Sequence, residues 1–125
     1  MLIGLGIDLA KVDRIEKTLT RFGKRFIERC FTEYEAALCL SRRRPAHAFA
    51  MRFAAKEATS KALGLGMRGL AWREMEMRHD EKGKPYLCLY GRALKRMQEL
   101  GATHSYVSTT DDGDYAAAVA IMERN

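Results

Sequence analysis

A chain of 125 residues and 14.2 kDa suits one domain, expected to span residues 1–125. With 47% hydrophobic and 30% charged residues it has a globular balance that argues against disorder, and no apolar run approaches the ~20 residues of a membrane span. The net charge of +6 is concentrated: Lys11 to Arg52 holds 11 Lys/Arg against 5 Asp/Glu, leaving 11 of each elsewhere. That stretch is either a solvated basic surface or the footprint of an acidic partner: nucleic acid, anionic membrane or acidic protein. The N-terminus lacks a basic start and Asp8 interrupts it, so no signal peptide is expected. Cys30, Cys39 and Cys88 show no zinc or redox spacing and suit reduced thiols, which points to the cytoplasm.

Leu2 to Leu9 alternates as a strand. Ile3, Leu5, Ile7 and Leu9 share one face, expected to point to the core. Gly4, Gly6 and Asp8 share the other, where glycine marks close approach by a backbone or a ligand. Val12, Ile15, Leu19, Phe22 and Phe26 recur at helical spacing beside a basic row, with Gly23 able to divide the helix. Thr32-Glu-Tyr-Glu35 resembles a capping box opening a second helix, which closes in Arg42-Arg43-Arg44. Pro45 then fits the first position of the next.

Pro45 to Leu63 is the strongest helix. Its stripe of Met51, Ala54, Ala55, Ala58 and Ala62 lets other elements pack closely, so it should be central; Gly64 and Gly66 end it. Leu70 to Arg78 alternates weakly as a strand, and Asp80 to Gly83 is a turn. Pro85 to Tyr90 is a short strand and Arg92 to Leu100 a helix. Tyr106 to Thr110 and Tyr115 to Met122 form a hairpin around Asp111-Asp112-Gly113. The order defines an α+β domain.

No phosphate loop, nucleophile elbow or His-Glu-x-x-His is present, and the three histidines are scattered. Asp8, in an apolar strand, needs a cation, a metal or solvent. Otherwise it is an exposed strand-end cap. Glu57 and Lys61 are an ordinary helical ion pair, unless Glu57, bordering the alanine stripe, faces a metal site. Gly83-Lys84-Pro85 is a turn that also offers a cation beside rigid backbone, suitable for phosphate.

In combination these segments are recognisable. Gly4-Leu-Gly-Ile-Asp-Leu-Ala-Lys-Val-Asp-Arg-Ile15 resembles the N-terminal motif of the holo-[acyl-carrier-protein] synthases. Arg52-Phe-Ala-Ala-Lys-Glu-Ala-Thr-Ser-Lys-Ala-Leu-Gly64 matches their second motif almost residue for residue. Gly83-Lys-Pro-Tyr follows at the family spacing, and Val107 to Val119 resembles the C-terminal hairpin.

The resemblance implies a 4′-phosphopantetheinyl transferase-like domain, an antiparallel sheet packed on a central helix. It implies transfer of 4′-phosphopantetheine from coenzyme A to a serine of apo-acyl carrier protein, releasing adenosine 3′,5′-bisphosphate, in fatty acid biosynthesis. Asp8 and Glu57 would bind Mg²⁺, which prefers carboxylates and phosphate oxygens and keeps waters elsewhere. Glu57, directly or through a metal-bound water, could take the serine proton and Lys61 neutralise the departing phosphate. Arg52, Ser60, Lys61, Gly64, Gly83, Lys84, Pro85 and Tyr106 would contact coenzyme A. The carrier would dock on Arg14, Arg21, Phe22, Arg25, Phe26 and Arg29, with neither nucleic acid nor membrane as partner. The family implies a homotrimer with sites between protomers. One departure stands out: relatives commonly carry His where this chain has Tyr106, and the nearest histidine, His104, lies two residues earlier on the same strand face. A basic nucleic-acid module and an inactive carrier-protein adaptor are the competing readings. The first leaves the Asp8–Glu57 pair without a role, and intact Asp8, Glu57 and Lys61 argue against the second.

Overall fold

The computed structural model describes residues 1–125. Strand β1 (Leu2–Lys11) leads into α1 (Val12–Phe22) and α2 (Lys24–Cys30). Gly23 divides these two helices; its φ of +51° turns the chain and its N–H bonds to Leu19 O. Thr32 and Glu35 form the expected reciprocal capping box at the start of α3 (Glu33–Ser41), and Pro45 opens α4 (Pro45–Ala62). A 3₁₀ turn over Trp72–Glu74 precedes β2 (Met75–His79), so the strand expected from Leu70 begins five residues later. There the Glu74 carboxylate accepts the backbone N–H groups of Ala71 and Arg92, tying the turn to the next helix instead of extending the ladder. The chain closes with β3 (Pro85–Leu89), α5 (Gly91–Glu99), β4 (His104–Asp112) and β5 (Tyr115–Glu123).

The strands form two antiparallel sheets, one in the order β1-β5-β4 and a separate β2-β3 hairpin. Helix α4 lies across the three-stranded sheet as its central support. Ala54, Ala55, Ala58 and Ala62 share one buried core with Ala10 of β1, Val107 of β4, and Ala116, Ala118, Ala120 and Met122 of β5. Small side chains on both surfaces bring the backbones close, gaining dispersion contacts rather than large apolar area.

One expectation is overturned. The apolar face of β1 points outward: Leu5, Ile7 and Leu9 are 57%, 69% and 62% exposed. The glycine face lies on α4, where a β-carbon on Gly4 would overlap Ala62 O and one on Gly6 would overlap Ala58 O. Sterics outweigh hydrophobicity here, because a strand bearing Leu or Ile on that side could not reach the helix. The pairings Leu5–Ile121–Tyr106, Ile7–Val119–Ser108 and Leu9–Ala117–Thr110 then build a continuous, largely apolar outer face.

A buried ionic cluster joins α3, α4 and β2. Lys56 Nζ donates to Glu35 Oε1 at 2.7 Å and to the carbonyls of Trp72 and Met75, while Glu35 Oε2 accepts Met77 N–H at 3.0 Å. Lys56 therefore has three acceptors for its three protons, which is what its complete burial requires. No helix is long and apolar enough to cross a membrane.

Candidate active site

The close fit of β1 on α4 sets the first group of functional side chains. Asp8 shares the glycine face of β1, so its carboxyl reaches α4 where Glu57 and Lys61 sit one turn apart. Lys61 Nζ donates to Asp8 Oδ1 at 3.1 Å and to the carbonyl of Ile7 at 3.0 Å, covering a free edge group of β1. Desolvation and the neighbouring Asp8 carboxyl push Glu57 up to about 7, while Lys61 works the other way. The helical ion pair expected between Glu57 and Lys61 is replaced by a bridge from Lys61 across to β1.

Two oxygen-donor carboxyls held together, one of them reluctant to ionise, form a donor set that a hard divalent cation would relieve. The residues present therefore fit Mg²⁺, with phosphate and water completing its shell. No cluster of three or more His, Cys, Asp or Glu side chains exists, so the protein alone could supply only part of a coordination sphere.

A second group lies elsewhere on α4. Arg52 precedes Glu57 by five residues, so its side chain leaves the helix roughly 140° away. It lines a cleft of ≈ 380 Å³ with Arg42, Arg43, Arg44, His47 and His79. Arg52 is buried, its Nη2 meets His79 Nδ1 at 3.3 Å, and its Nε has no hydrogen-bond partner. Gly83, Lys84 and Pro85 fall near this cleft, because Pro85 pairs with His79 in the β2-β3 hairpin. Gly83 carries a φ of +86°, and Asp80 Oδ1 accepts the N–H groups of Lys82 and Lys84 to shape the turn.

The remaining candidates are dispersed. Ser60 is buried and its hydroxyl donates to Glu57 O at 2.7 Å, so it presents no free donor. Gly64, at the exposed end of α4, takes a φ of +80°, and Arg96 Nε caps the helix through Leu63 O. Tyr106 stands on the outer sheet face, its hydroxyl donating to Glu123 Oε1 at 3.0 Å. His104 shares that face, next to Thr103. Arg14, Arg21, Arg25 and Arg29 are exposed along α1 and α2. Phe22 is exposed with Arg21 stacked over its ring, while Phe26 is half-buried edge-on against Phe31. Phe22 and Phe26, with Thr18, Arg25 and Arg29, line a groove of ≈ 300 Å³. The sequence reading missed His79 and the arginine run as partners of Arg52. The signal was the short spacing from Arg44 to the helix start at Pro45, which puts the run near Arg52.

Comparison with known proteins identifies the family of this fold. Residues 4–120 match the model of the 4′-phosphopantetheinyl transferase superfamily. A holo-[acyl-carrier-protein] synthase of Geobacter sulfurreducens is 41% identical over 125 residues, 99% of both chains. One from Dinoroseobacter shibae is 46% identical over 127 residues, covering 98% of this chain and 91% of its own. The crystal structure of the Neisseria meningitidis synthase superposes with a TM-score of 0.90 at 36% identity, covering 99% of this chain and all of that one. The Helicobacter pylori synthase, solved in complex with coenzyme A, gives 0.84 at 30% identity over 95% and 99%.

The fold is thus that of a group-transfer enzyme. The chain belongs to the 4′-phosphopantetheinyl transferase superfamily, alongside the holo-[acyl-carrier-protein] synthases.

Proposed function

We propose that this chain transfers 4′-phosphopantetheine from coenzyme A to a serine of apo-acyl carrier protein, releasing adenosine 3′,5′-bisphosphate, in the cytoplasm and in the service of fatty acid synthesis. The observation that carries the proposal is the juxtaposition of Asp8, Glu57 and Lys61 in a fold whose relatives are named for this reaction. The coenzyme A complex of the Helicobacter pylori relative supports the donor, and the three free thiols suit a reducing compartment.

In the reaction the serine oxygen bonds to the pantetheine-side phosphorus as the bond to the bridging diphosphate oxygen breaks. Glu57, directly or through an intervening water, is the proton acceptor this chain offers. Lys61 brings a positive charge beside Asp8, where it can meet charge building on the departing phosphate. Asp8 and Glu57 would hold Mg²⁺, which when bound supplies charge neutralisation at the diphosphate. Arg52 and its cleft, with Lys84 nearby, suit the anionic nucleotide end.

A single copy does not bring these parts into one cavity, since Arg52 and Glu57 leave α4 in different directions. The unpartnered outer face of Leu5, Ile7, Leu9, Val119 and Ile121 favours further copies of this chain. The family resemblance supports three. The decisive experiment is incubation with apo-acyl carrier protein, coenzyme A and Mg²⁺, followed by intact mass measurement. A carrier mass gain of one phosphopantetheine, lost in chelator, supports the proposal. An unmodified carrier together with retention of labelled RNA would favour the basic nucleic-acid module instead.

A further inference from the structure

The arginine cleft holds a hydrogen bond that exists in only one protonation state. Arg52 Nη2 meets His79 Nδ1 at 3.3 Å. A guanidinium can only donate, so His79 Nδ1 must be the acceptor and the ring must be neutral. Protonating Nδ1 would remove that bond and set a second cation against a buried arginine whose Nε has no hydrogen bond and whose counter-charge, Glu35 Oε2 at 3.8 Å, is shared with Lys56. An anion accepting from both side chains would offset this.

The surroundings of His79 are chiefly cationic. Arg42, Arg43 and Arg44 come from the segment before α4, and His47 and Arg52 from α4 itself. His47 is already engaged, its Nε2 lying 3.2 Å from Gly113 O. Asp111 of β4 is the one carboxylate lining the cleft. On the hairpin side His79 is flanked by Asp80, Glu81, Lys82 and Tyr86. Desolvation, then Arg52 and Arg42, hold the imidazole below its ordinary range, with Asp80 opposing.

We propose that His79 and Arg52 form a proton-linked phosphate site: the empty cleft holds a neutral His79 accepting from Arg52, and a phosphomonoester dianion entering it draws a proton onto His79, so that both side chains donate to the phosphate. This rests on the coenzyme A reading and deepens it. Coenzyme A carries one phosphomonoester, on its ribose; its diphosphate belongs with Asp8, Glu57 and Lys61. The proton comes from solvent and no bond other than hydrogen bonds is made or broken.

The test is calorimetric binding of coenzyme A at pH 7.5 in two buffers of different ionisation enthalpy, with dephospho-coenzyme A as the second ligand. Both ligands carry the diphosphate and act alike on Glu57, so the parent should take up a substantial fraction of a proton more with coenzyme A than with dephospho-coenzyme A. Its affinity for coenzyme A should weaken from pH 7 to 8.5 with a slope approaching tenfold per unit, the limit for one linked proton. His79→Asn should bind more weakly at pH 7, without that difference between the ligands or the added slope. His79→Lys, a fixed cation, should keep its affinity at pH 8.5 and also show no difference in uptake between the ligands, and it carries the test if the asparagine variant does not fold. Equal proton uptake in parent and variants, or with both ligands, overturns the dyad while leaving the transfer reaction intact. Failure of coenzyme A to bind any form overturns the transfer reading and the dyad together.

Discussion

Gly6 and Ala58 meet backbone to backbone, with the space for a β-carbon on the strand already filled by the helix carbonyl. That contact fixes the distance from β1 to α4, and with it the meeting of Asp8, two residues along the strand, with Glu57, one residue before Ala58 on the helix. Gly6→Ala should therefore cost roughly 1–3 kcal/mol or more through overpacking. It should also lower transfer activity in the protein that still folds. Denaturant unfolding alongside intact-mass assay checks both, and a variant matching the parent in stability would show that the strand has room to move.

The Asp8–Glu57 pair has a pH signature. Glu57 is raised from 4.5 to about 7, so between those values the native state keeps a proton that the unfolded chain has released. At this site the native state then binds more protons, and the Glu57 contribution to stability without metal falls as pH rises from about 4.5 to about 7, levelling above it. Glu57→Gln should abolish this decline and be more stable than the parent at pH 8 in chelator. Unfolding curves at pH 5, 6, 7 and 8 read the slope directly. Asp8→Ala and Glu57→Ala should lose transfer activity far out of proportion to any loss of folding. Near-normal turnover of either in saturating Mg²⁺ would remove the assigned site.

Local chemistry made much of the fold legible: the Thr32–Glu35 cap, Pro45 at a helix start, Gly23 dividing two helices and the terminal hairpin are all decided within a few residues. The orientation of β1 is different. Alternation distinguished its two faces, and the glycines announced a close backbone, yet the leucine and isoleucine side was expected to be the inner one. An apolar stripe does not say whether it meets its own helix or another copy, whereas a glycine stripe against an alanine helix is a steric demand that only this chain's α4 fulfils. At the site, Asp8, Glu57 and Lys61 were legible because they sit in motifs. The partnership of Arg52 with His79 and the burial of Lys56 depend on how α3 and the β2-β3 hairpin close over α4, which one sequence does not encode locally.

Lys56 illustrates that dependence. Its ammonium is fully enclosed and bonded to Glu35 and two carbonyls. Lys56→Met should destabilise by about 3–5 kcal/mol, leaving Glu35 as a buried carboxylate without its main cation. Pairing it with Glu35→Leu should restore part of that loss in denaturant unfolding. A double variant no more stable than Lys56→Met alone would mean that the stranded carbonyls of Trp72 and Met75, rather than the charge, dominate.

The outer sheet face should govern assembly. Ile7→Asp places a charge at the middle of the Ile7–Val119–Ser108 row, where a second copy would bury it. The isolated fold should be little affected, because Ile7 is 69% exposed in the single chain. If the parent is the proposed trimer, light scattering after size exclusion should show the variant shifted to monomer, with transfer activity falling in parallel. A variant that stays trimeric would move the interface elsewhere.

The basic face of α1 and α2 gives the last prediction. Acyl carrier proteins are acidic, and the chain's whole charge excess lies between Lys11 and Arg52. The structure divides that excess: Arg52 is buried beside His79, whereas Arg14, Arg21, Arg25 and Arg29 face solvent around Phe22. Rim charges act mainly on encounter and its salt dependence, and a partly exposed aromatic acts on dissociation. Reversing Arg14 and Arg21 to Glu should raise the KM for the carrier roughly tenfold or more and flatten its dependence on ionic strength. Phe22→Ala should raise the same KM while leaving the salt slope as it was. The KM for coenzyme A should stay close to the parent value in both, since that ligand is assigned to Asp8, Glu57, Lys61 and the Arg52 cleft on other faces of the molecule. Steady-state transfer with carrier and coenzyme A varied separately at several salt concentrations distinguishes the two effects. A charge-reversed protein with the parent's carrier KM and salt slope would sink this docking surface, and the exposed arginines would then require a different acidic partner.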